Sequence, residues 1–389
     1  MISAEDQIKN DMHQGHIQDS TMPKQTALYQ KHLDAGAKMV DFHGWLLPLQ
    51  YPAGIIAETK QARLTAGMFD LSHMGEIEIS GPDASAFLQK VATNDISAIE
   101  KGALQYNMAC IEDGGIIDDF MVYNKGTAYL CVVNASNIEN VYNWSLEQQQ
   151  GFQVHIEDQS DKISLISIQG PASEQIVTDA GLTDGASLFY MHFIQTELQN
   201  IPCIVSRSGY TGEDGFEFYL DNKHAPVLWD IFLQAGEKYD MCLCGLGSRD
   251  ILRLEMGYPL YGNDTNIQTN PIEASLRWAV KPKAKDFIGK GAIVDALTNG
   301  AKSKRAGFVM KEKGFARNGY QIFSEGKEPI GVVTSGAFSP NTGTFIGQCY
   351  LKSAYADVHT QIYVKIRDGL HKAEVVRFPF VKSRVKKEA

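Results

Sequence analysis

The chain has 389 residues, too many for one ordinary hydrophobic core, so two or three domains are expected. With 44% apolar and 21% charged residues it has the make-up of an ordinary soluble globular protein, and 36 Lys+Arg against 46 Asp+Glu leave a formal charge of −10. That balance disfavours a nucleic-acid or anionic-membrane surface, and no apolar run reaches the roughly 18 residues that suggest a membrane span.

Residues 1–21 are polar and lack an apolar core, so they are no secretory signal; they are expected to be a disordered extension, with Met22 a second plausible start. Residues 27–37 pattern as a short helix ending at Gly36, and 39–45 as strand and turn. His43 there is either a base or a packed ring between aromatics. A helix is expected over 54–67. In the following Asp70-Leu71-Ser72-His73 the three polar side chains are too close in the chain to form a triad, and no GxSxG occurs, so a strand with a turn is expected. Pro82 to Thr93 reads as a helix with Ala84, Phe87, Leu88 and Val91 on one face.

Gly114-Gly115-Ile116-Ile117-Asp118-Asp119-Phe120-Met121-Val122-Tyr123 stands apart. Two glycines mark a turn, and an apolar strand follows that carries two adjacent carboxylates, which strands avoid. Alternation places Ile117, Asp119, Met121 and Tyr123 on one face and Ile116, Asp118, Phe120 and Val122 on the other. Either one Asp faces a polar partner worth its desolvation, or the turn extends and both are wet. The next strand, 129–134, ends on Asn134, which is suited to reading a heterocycle edge and equally to a turn.

Residues 162–180 read as strand, Gly-Pro turn and helix. Strands at 203–207 and 216–220 flank Ser208-Gly209-Tyr210-Thr211-Gly212-Glu213-Asp214-Gly215, a glycine-rich loop expected to let a ligand approach the backbone. Phe216 and Phe218 alternate with Glu217 and Tyr219. Glu217 either grips a planar amidine-like edge or faces water. After an amphipathic helix over 225–239, Gly245-Leu246-Gly247-Ser248-Arg249-Asp250 is expected to lead into a helix at 251–256 with Ser248 as its cap. Arg249 there opposes the helix dipole, which suggests a task for it. A basic stretch, 299–305, reads as a linker into an all-β terminal domain with a basic tail.

The six cysteines (Cys110, Cys131, Cys203, Cys242, Cys244, Cys349) form no CxxC, and the ten histidines no HxxxH or HExxH. They are read as reduced core thiols of a cytoplasmic protein with no metal centre.

Five stretches together resemble the signatures of one family, in its order and spacing: 68–76 (MFDLSHMGE), 114–119 (GGIIDD), 209–217 (GYTGEDGFE), 245–250 (GLGSRD) and 333–340 (VTSGAFSP). The family is the folate-dependent aminomethyltransferases, the T-protein of the glycine cleavage system, and the resemblance covers about residues 25–384. It implies an α+β fold, a three-domain cloverleaf around a central folate-binding hole with a C-terminal all-β, barrel- or jelly-roll-like domain. The domains would be 22–54 with 161–270, 55–160 with 271–304, and 305–389. It implies transfer of an aminomethyl carbon from the lipoyl arm of H-protein to tetrahydrofolate, with release of ammonia. Lipoylated H-protein and the other glycine cleavage components would be partners, with no nucleic acid, membrane or metal, and the state a monomer or weak dimer.

Residue by residue, Asp119 matches the family's essential Asp, which would position a folate nitrogen and assist its proton loss. Met74 would pack on the pterin with Met121 and Tyr123 along the same wall. Asn134 and Tyr210 match folate contacts, Glu217 the carboxylate on the amino-pyrimidine edge, and Arg249 an arginine at the folate site. Arg384 is the choice for the C-terminal basic contact, with Lys386 or Lys387 as alternatives. Two other readings share the fold: a demethylase acting on a small methylated substrate, and a non-transferase iron–sulfur maintenance protein, whose KGCYxGQE-type stretch this sequence lacks.

Overall fold

A computed structural model describes residues 22–387, so the expectation for residues 1–21 lies outside the described residues. The described residues separate into two compact units, 22–74 with 159–252 and 383–387, and 75–158 with 253–382. The sequence reading has three domains; here the second sheet and the terminal barrel fall in one unit, and the segment 55–74 falls in the first.

The first unit holds a three-stranded sheet and a six-stranded sheet. The six strands run in the order Phe193–Leu198, Ile201–Ser206, Gly215–Asp221, Ile163–Gln169, Gly67–Asp70, Cys242–Leu243, antiparallel except for the last pair. The alternation read at 216–220 organises its core. Phe216, Phe218 and Leu220 point into a cluster with Leu228, Trp229 and Phe232 of helix Ala225–Gly236. Glu217 is half-buried on the opposite face, as period-two geometry demands. The three acids of the basic-and-acidic neighbourhood around the loop are spoken for. Buried Arg207 forks onto Asp214 and reaches Glu174, and Arg63 reaches Glu213 at 2.7 Å.

The second unit contains a five-stranded antiparallel sheet, ordered Leu104–Cys110, Ile116–Asn124, Ala128–Val133, Gly75–Ser80, His155–Asp158. Helix Ala84–Val91 presents the expected face, with Ala84, Phe87, Leu88 and Val91 all buried in the core beneath this sheet. The unit also contains a closed six-stranded barrel built from Ser303–Met310, Thr344–Lys352, Pro329–Ser339, Gln321–Phe323, Gln361–Ile366 and Gly369–Val376. Closure leaves no unpaired edge, which suits a run of short strands with little helix to cover them.

The linker read at 299–305 is corrected. Helix Lys290–Asn299 stops at Gly300 and strand Ser303–Met310 starts at once. Arg305 is buried, donating from Nε to the Ala274 carbonyl at 2.7 Å and from Nη1 to the Gly257 carbonyl at 2.8 Å and to Gln348. A basic run reads as solvated by composition, yet one guanidinium can satisfy several buried carbonyls.

Among the described residues no helix is long and apolar enough to cross a membrane.

Candidate active site

The strand Ile116–Asn124 begins directly after Gly114-Gly115, so neither aspartate lies in a wet turn. Gly114 has φ +82°, and a Cβ on Gly115 would stand 1.8 Å from the Ile267 carbonyl oxygen. Both glycines are therefore structural requirements for launching this strand. Gly115→Ala forces the 266–269 loop, which accepts the Ile116 N–H at Asn266 O and Thr269 O, away from the strand. We expect a loss of roughly 1–3 kcal/mol or more in urea unfolding, with turnover falling alongside. An unchanged unfolding midpoint would show that the contact is relieved cheaply.

The strict alternation expected along this strand fails at one residue. Ala109 pairs with Asp118 but Cys110 pairs with Ile116, leaving Ile117 as a bulge. Ile117 consequently packs in the same cluster as Phe120 and Val122, while Ile116 joins Met108 and Cys110. From Asp118 onward the alternation holds, with Asp118 fully buried and Asp119 half-buried.

Both carboxylates converge on one amide. Asn134 donates its backbone N–H to Asp118 Oδ2 at 3.1 Å, and its Nδ2 to Asp118 Oδ1 at 2.8 Å, to the Asp119 carbonyl at 2.9 Å and to Asp119 Oδ1 at 3.4 Å. Tyr106 donates its hydroxyl to Asp119 Oδ2 at 3.0 Å, and its ring stacks on that of exposed Trp278 with centroids 5.1 Å apart. Burial, and then the charge of Asp119, push the Asp118 carboxyl far above the usual range. Burial pushes Asp119 up to about 6, opposed by the hydrogen bonds from Tyr106 and Asn134 and by the more distant Arg305 charge. Both carboxyls are thus held above the ordinary aspartate range, and the Asp119 carboxylate, with a pKa of about 6, is a stronger base than a free aspartate. Met121 is half-buried on the Asp119 face, and Tyr123 further along it is completely buried.

A second cluster forms in the first unit. Glu217 pairs in register with Ser206, and its Oε2 accepts the Ser208 hydroxyl at 2.6 Å, with Ser206 Oγ 2.7 Å from Ser208 Oγ. Burial raises the Glu217 carboxyl, against the hydrogen bond from Ser208 and the charge of Arg249. The Arg249 guanidinium lies 4.9 Å from the centre of the Tyr210 ring, a cation–π contact. That contact accounts for a cation placed in the first turn of a helix.

The helix itself differs from expectation. It runs Leu246–Glu255, and Ser248 is inside it, donating to the Gly245 carbonyl at 2.8 Å rather than capping. The acceptor at this N-terminus is Glu58, whose Oε2 takes the Gly245 N–H at 2.9 Å from a distant part of the sequence. No local signal announces such a cap.

The glycine-rich loop is also occupied by the protein itself. A Cβ at Gly209 or Gly215 would fall 2.1 or 2.3 Å from the Gln169 side-chain amide. Gln169 donates to Ser208 O at 3.0 Å and accepts from Thr211 at 2.8 Å. At these two positions the close approach is made by glutamine, not by a ligand. Arg384 meets Glu213 Oε1 at 2.8 Å and Oε2 at 2.8 Å and donates to the Arg63 carbonyl at 2.5 Å. Lys386 is paired with Glu174 at 2.7 Å, and Lys387 is exposed. Met74 is half-buried, at the end of the turn that follows Gly67–Asp70.

The structure thus gathers Asp119 and Asn134 around Tyr106, with Met121 and Tyr123 further along the strand, and separately gathers Glu217, Tyr210 and Arg249 around Ser208. Arg384 is held in an ion pair. Asp70, Ser72 and His73 form no triad: Asp70 binds His32 Nε2 at 2.9 Å and Thr26 at 2.7 Å, while Ser72 Oγ accepts the Leu165 N–H. Sequence reasoning missed Tyr106 and Ser208. For Tyr106 the available signal was a phenol on the strand preceding the double glycine. Ser208 had no signal beyond its place in the loop.

The comparisons with known proteins agree with one another. The model for the GCVT N-terminal domain matches residues 28–284, and that for the glycine cleavage T-protein C-terminal barrel domain matches residues 304–382. An aminomethyltransferase of Chloroherpeton thalassium is 42% identical over 359 residues, 92% of this chain and 99% of that protein. One of Bacillus subtilis is 42% identical over 364 residues, 93% and 100% of the two chains. The crystal structure of glycine cleavage system aminomethyltransferase T from Bartonella henselae matches with a TM-score of 0.89 at 33% identity, covering 94% of this chain and 99% of that one. An α+β chain with a closed terminal barrel and these two domain matches is a folate-dependent transferase. It belongs to the aminomethyltransferase family, the T-proteins of the glycine cleavage system.

Proposed function

We propose that this chain transfers the methylene carbon of an aminomethyl group, carried as a thioether on the dihydrolipoyl arm of H-protein, to tetrahydrofolate, with ammonia released. It would work in the cytoplasm with the other glycine cleavage components. The observation that carries the reading is Asp119. It is half-buried, held by Tyr106 and Asn134, and raised by burial to about 6 beside a second carboxyl that burial also raises.

Folate supplies the nucleophilic nitrogen when bound. Asp119 receives the proton that this nitrogen loses, its basicity raised by burial and by the neighbouring Asp118 carboxyl held out of water. Asn134 and Tyr106 hold the Asp119 carboxylate in one orientation. Glu217 is proposed to accept the donor edge of the amino-pyrimidine through two hydrogen bonds, with Ser208 fixing its rotamer. Tyr210 and Arg249 offer a ring and a cation to the rest of the ligand, with half-buried Met74 and Met121 as proposed apolar neighbours, while Tyr123, completely buried, would back that wall and not touch the ligand. Arg384 is proposed to act from within its ion pair with Glu213. No nucleophilic Ser or Cys is required, because the carbon arrives activated on sulfur.

The test is a direct assay with aminomethylated H-protein and tetrahydrofolate, scored by methylene-tetrahydrofolate and ammonia, against dimethylated amines with the same co-substrate. Turnover of a small methylated amine in place of the protein-borne substrate would overturn this reading in favour of a demethylase. For the grip of Glu217, Glu217→Ala is expected to remove roughly 1.5–3 kcal/mol of charge-assisted hydrogen bonding, weakening tetrahydrofolate about 10- to 100-fold by calorimetry. An unaltered affinity would detach Glu217 from the ligand.

A further inference from the structure

Two thiols outside both clusters stand unusually close. Cys242 and Cys244, two residues apart in and just beyond the edge strand Cys242–Leu243, project to the same side, and their sulfurs are 3.3 Å apart. Each sulfur also lies 3.8 Å from the Glu58 carbonyl oxygen. Cys242 is half-buried, whereas Cys244 and the other four cysteines are buried.

We infer that Cys242 and Cys244 form an oxidisable dithiol that closes into a disulfide in exchange with small-molecule disulfides, and that closure reseats the helix carrying Arg249. The accessible Cys242 attacks, as thiolate, one sulfur of the small disulfide. The S–S bond breaks and one small thiolate leaves and takes up a proton. Cys244 then gives up its proton, attacks Cys242 Sγ and expels nothing from the protein except the second small thiolate. Two electrons and two protons pass from the protein dithiol to the small disulfide, which becomes two thiols. Burial pushes the Cys244 thiol far up, so Cys242 is the group that begins the exchange.

Closure has a mechanical consequence. The sulfurs must move from 3.3 Å to about 2.05 Å. An extended strand sets residues two apart at about 6.6 Å, inside the disulfide limit of about 6.8 Å but beyond the commonest spacing of about 5.5–6 Å, so closure draws the two backbone positions toward each other. Cys242 N–H to Ala66 O (3.1 Å) and Cys244 N–H to Met68 O (2.9 Å) hold one side of this segment. The other side is Gly245, whose N–H binds Glu58 and whose carbonyl accepts from Ser248 Oγ and from the Arg249 N–H at 3.1 Å. A bond between the sulfurs therefore pulls on the hydrogen bonds that start the Arg249 helix.

The effect on ligand binding rests on the proposed folate role of Arg249; the disulfide itself does not. The full-length protein is incubated with oxidised glutathione, the oxidant is removed, free thiols are alkylated, and the peptide spanning 242–244 is weighed. Tetrahydrofolate affinity is measured on the same sample before and after dithiothreitol. The expected result is an unalkylated 242–244 peptide short of two hydrogens, absent in Cys242→Ser, and an affinity several-fold weaker that reduction restores. Cys242→Ser should fold, since its side chain is half exposed, and should show no redox effect on affinity. A peptide alkylated at both cysteines, or one bearing glutathione on Cys242 alone, overturns the dithiol. A disulfide with unchanged affinity overturns the coupling to Arg249. If tetrahydrofolate binds in neither state, the functional reading fails, and the peptide mass still decides the dithiol.

Discussion

Asp119→Asn will bind tetrahydrofolate nearly as the parent does and will turn over about 10²- to 10⁴-fold more slowly, the usual contribution of a positioned general base. The amide keeps the size of the carboxyl and one acceptor for Tyr106 or Asn134, so the losses fall on kcat and not on affinity. The parent's kcat/KM should fall as pH drops through about 6, because below that value Asp119 is protonated and cannot take a proton. The stability trend has the opposite sense. In the folded chain Asp119 holds its proton up to about 6, above the roughly 3.9 of an unfolded aspartate. Between those values the native state binds more protons, so the group's contribution worsens as pH rises and is restored as pH falls. Neutral asparagine removes that penalty. The variant should therefore melt higher than the parent at pH 7.5, with the advantage shrinking toward pH 4. Unchanged turnover would remove Asp119 from the chemistry; a lower melting temperature at pH 7.5 would show that its burial is better compensated than its neighbours suggest.

The carboxylate pair was visible in the sequence because it stands where burial is costly for its chemistry. Charged residues inside an apolar strand break the local pattern, and such breaks concentrate where function opposes stability. The same logic made helix Ala84–Val91 and the Phe216/Phe218 face readable, because there propensity, period and burial agree. What stayed hidden depended on partners remote in the chain. The bulge at Ile117 is set by pairing with Ala109 and Cys110, and a period-two reading cannot see a partner strand. The start of the Arg249 helix is fixed by Glu58, almost two hundred residues earlier, so a rule based on the nearest serine put the cap three residues late. The glycines at 209 and 215 looked like room for a ligand, and the room is filled by Gln169. In each case the residue type was legible and its partner was not.

The C-terminal signature 333–340 poses the same problem on a larger energetic scale, and Asp264→Ala measures it. Thr334 and Ser335, polar residues in a barrel strand, both donate to Asp264, at 2.5 and 2.9 Å on Oδ1, and Ser335 also reaches Oδ2 at 3.0 Å. Asp264 Oδ2 further accepts the Leu260 N–H at 2.9 Å and faces Arg253 Nη1 at 2.6 Å, with both side chains almost wholly buried. Ser339 and Asn341 extend the arrangement by donating to Glu255, at 2.5 and 2.9 Å. The signature thus ties the barrel strand to the last turn of the Arg249 helix and to Asp264 beyond it, and it need not touch a ligand to be required. Removing the Asp264 carboxylate takes a charged partner from a buried guanidinium, at an expected cost of about 3–5 kcal/mol. Asp264→Asn keeps an acceptor for the two hydroxyls and should lose less. Urea unfolding of the two variants, followed beside tetrahydrofolate affinity at a concentration where both remain folded, separates the possibilities. The expected result is a much lower unfolding midpoint for Asp264→Ala, a smaller drop for Asp264→Asn, and near-parental affinity in the folded fraction. A midpoint equal to the parent's would mean that water reaches Arg253 and the network holds nothing, while a collapse of affinity at full stability would move the signature from scaffold to binding site.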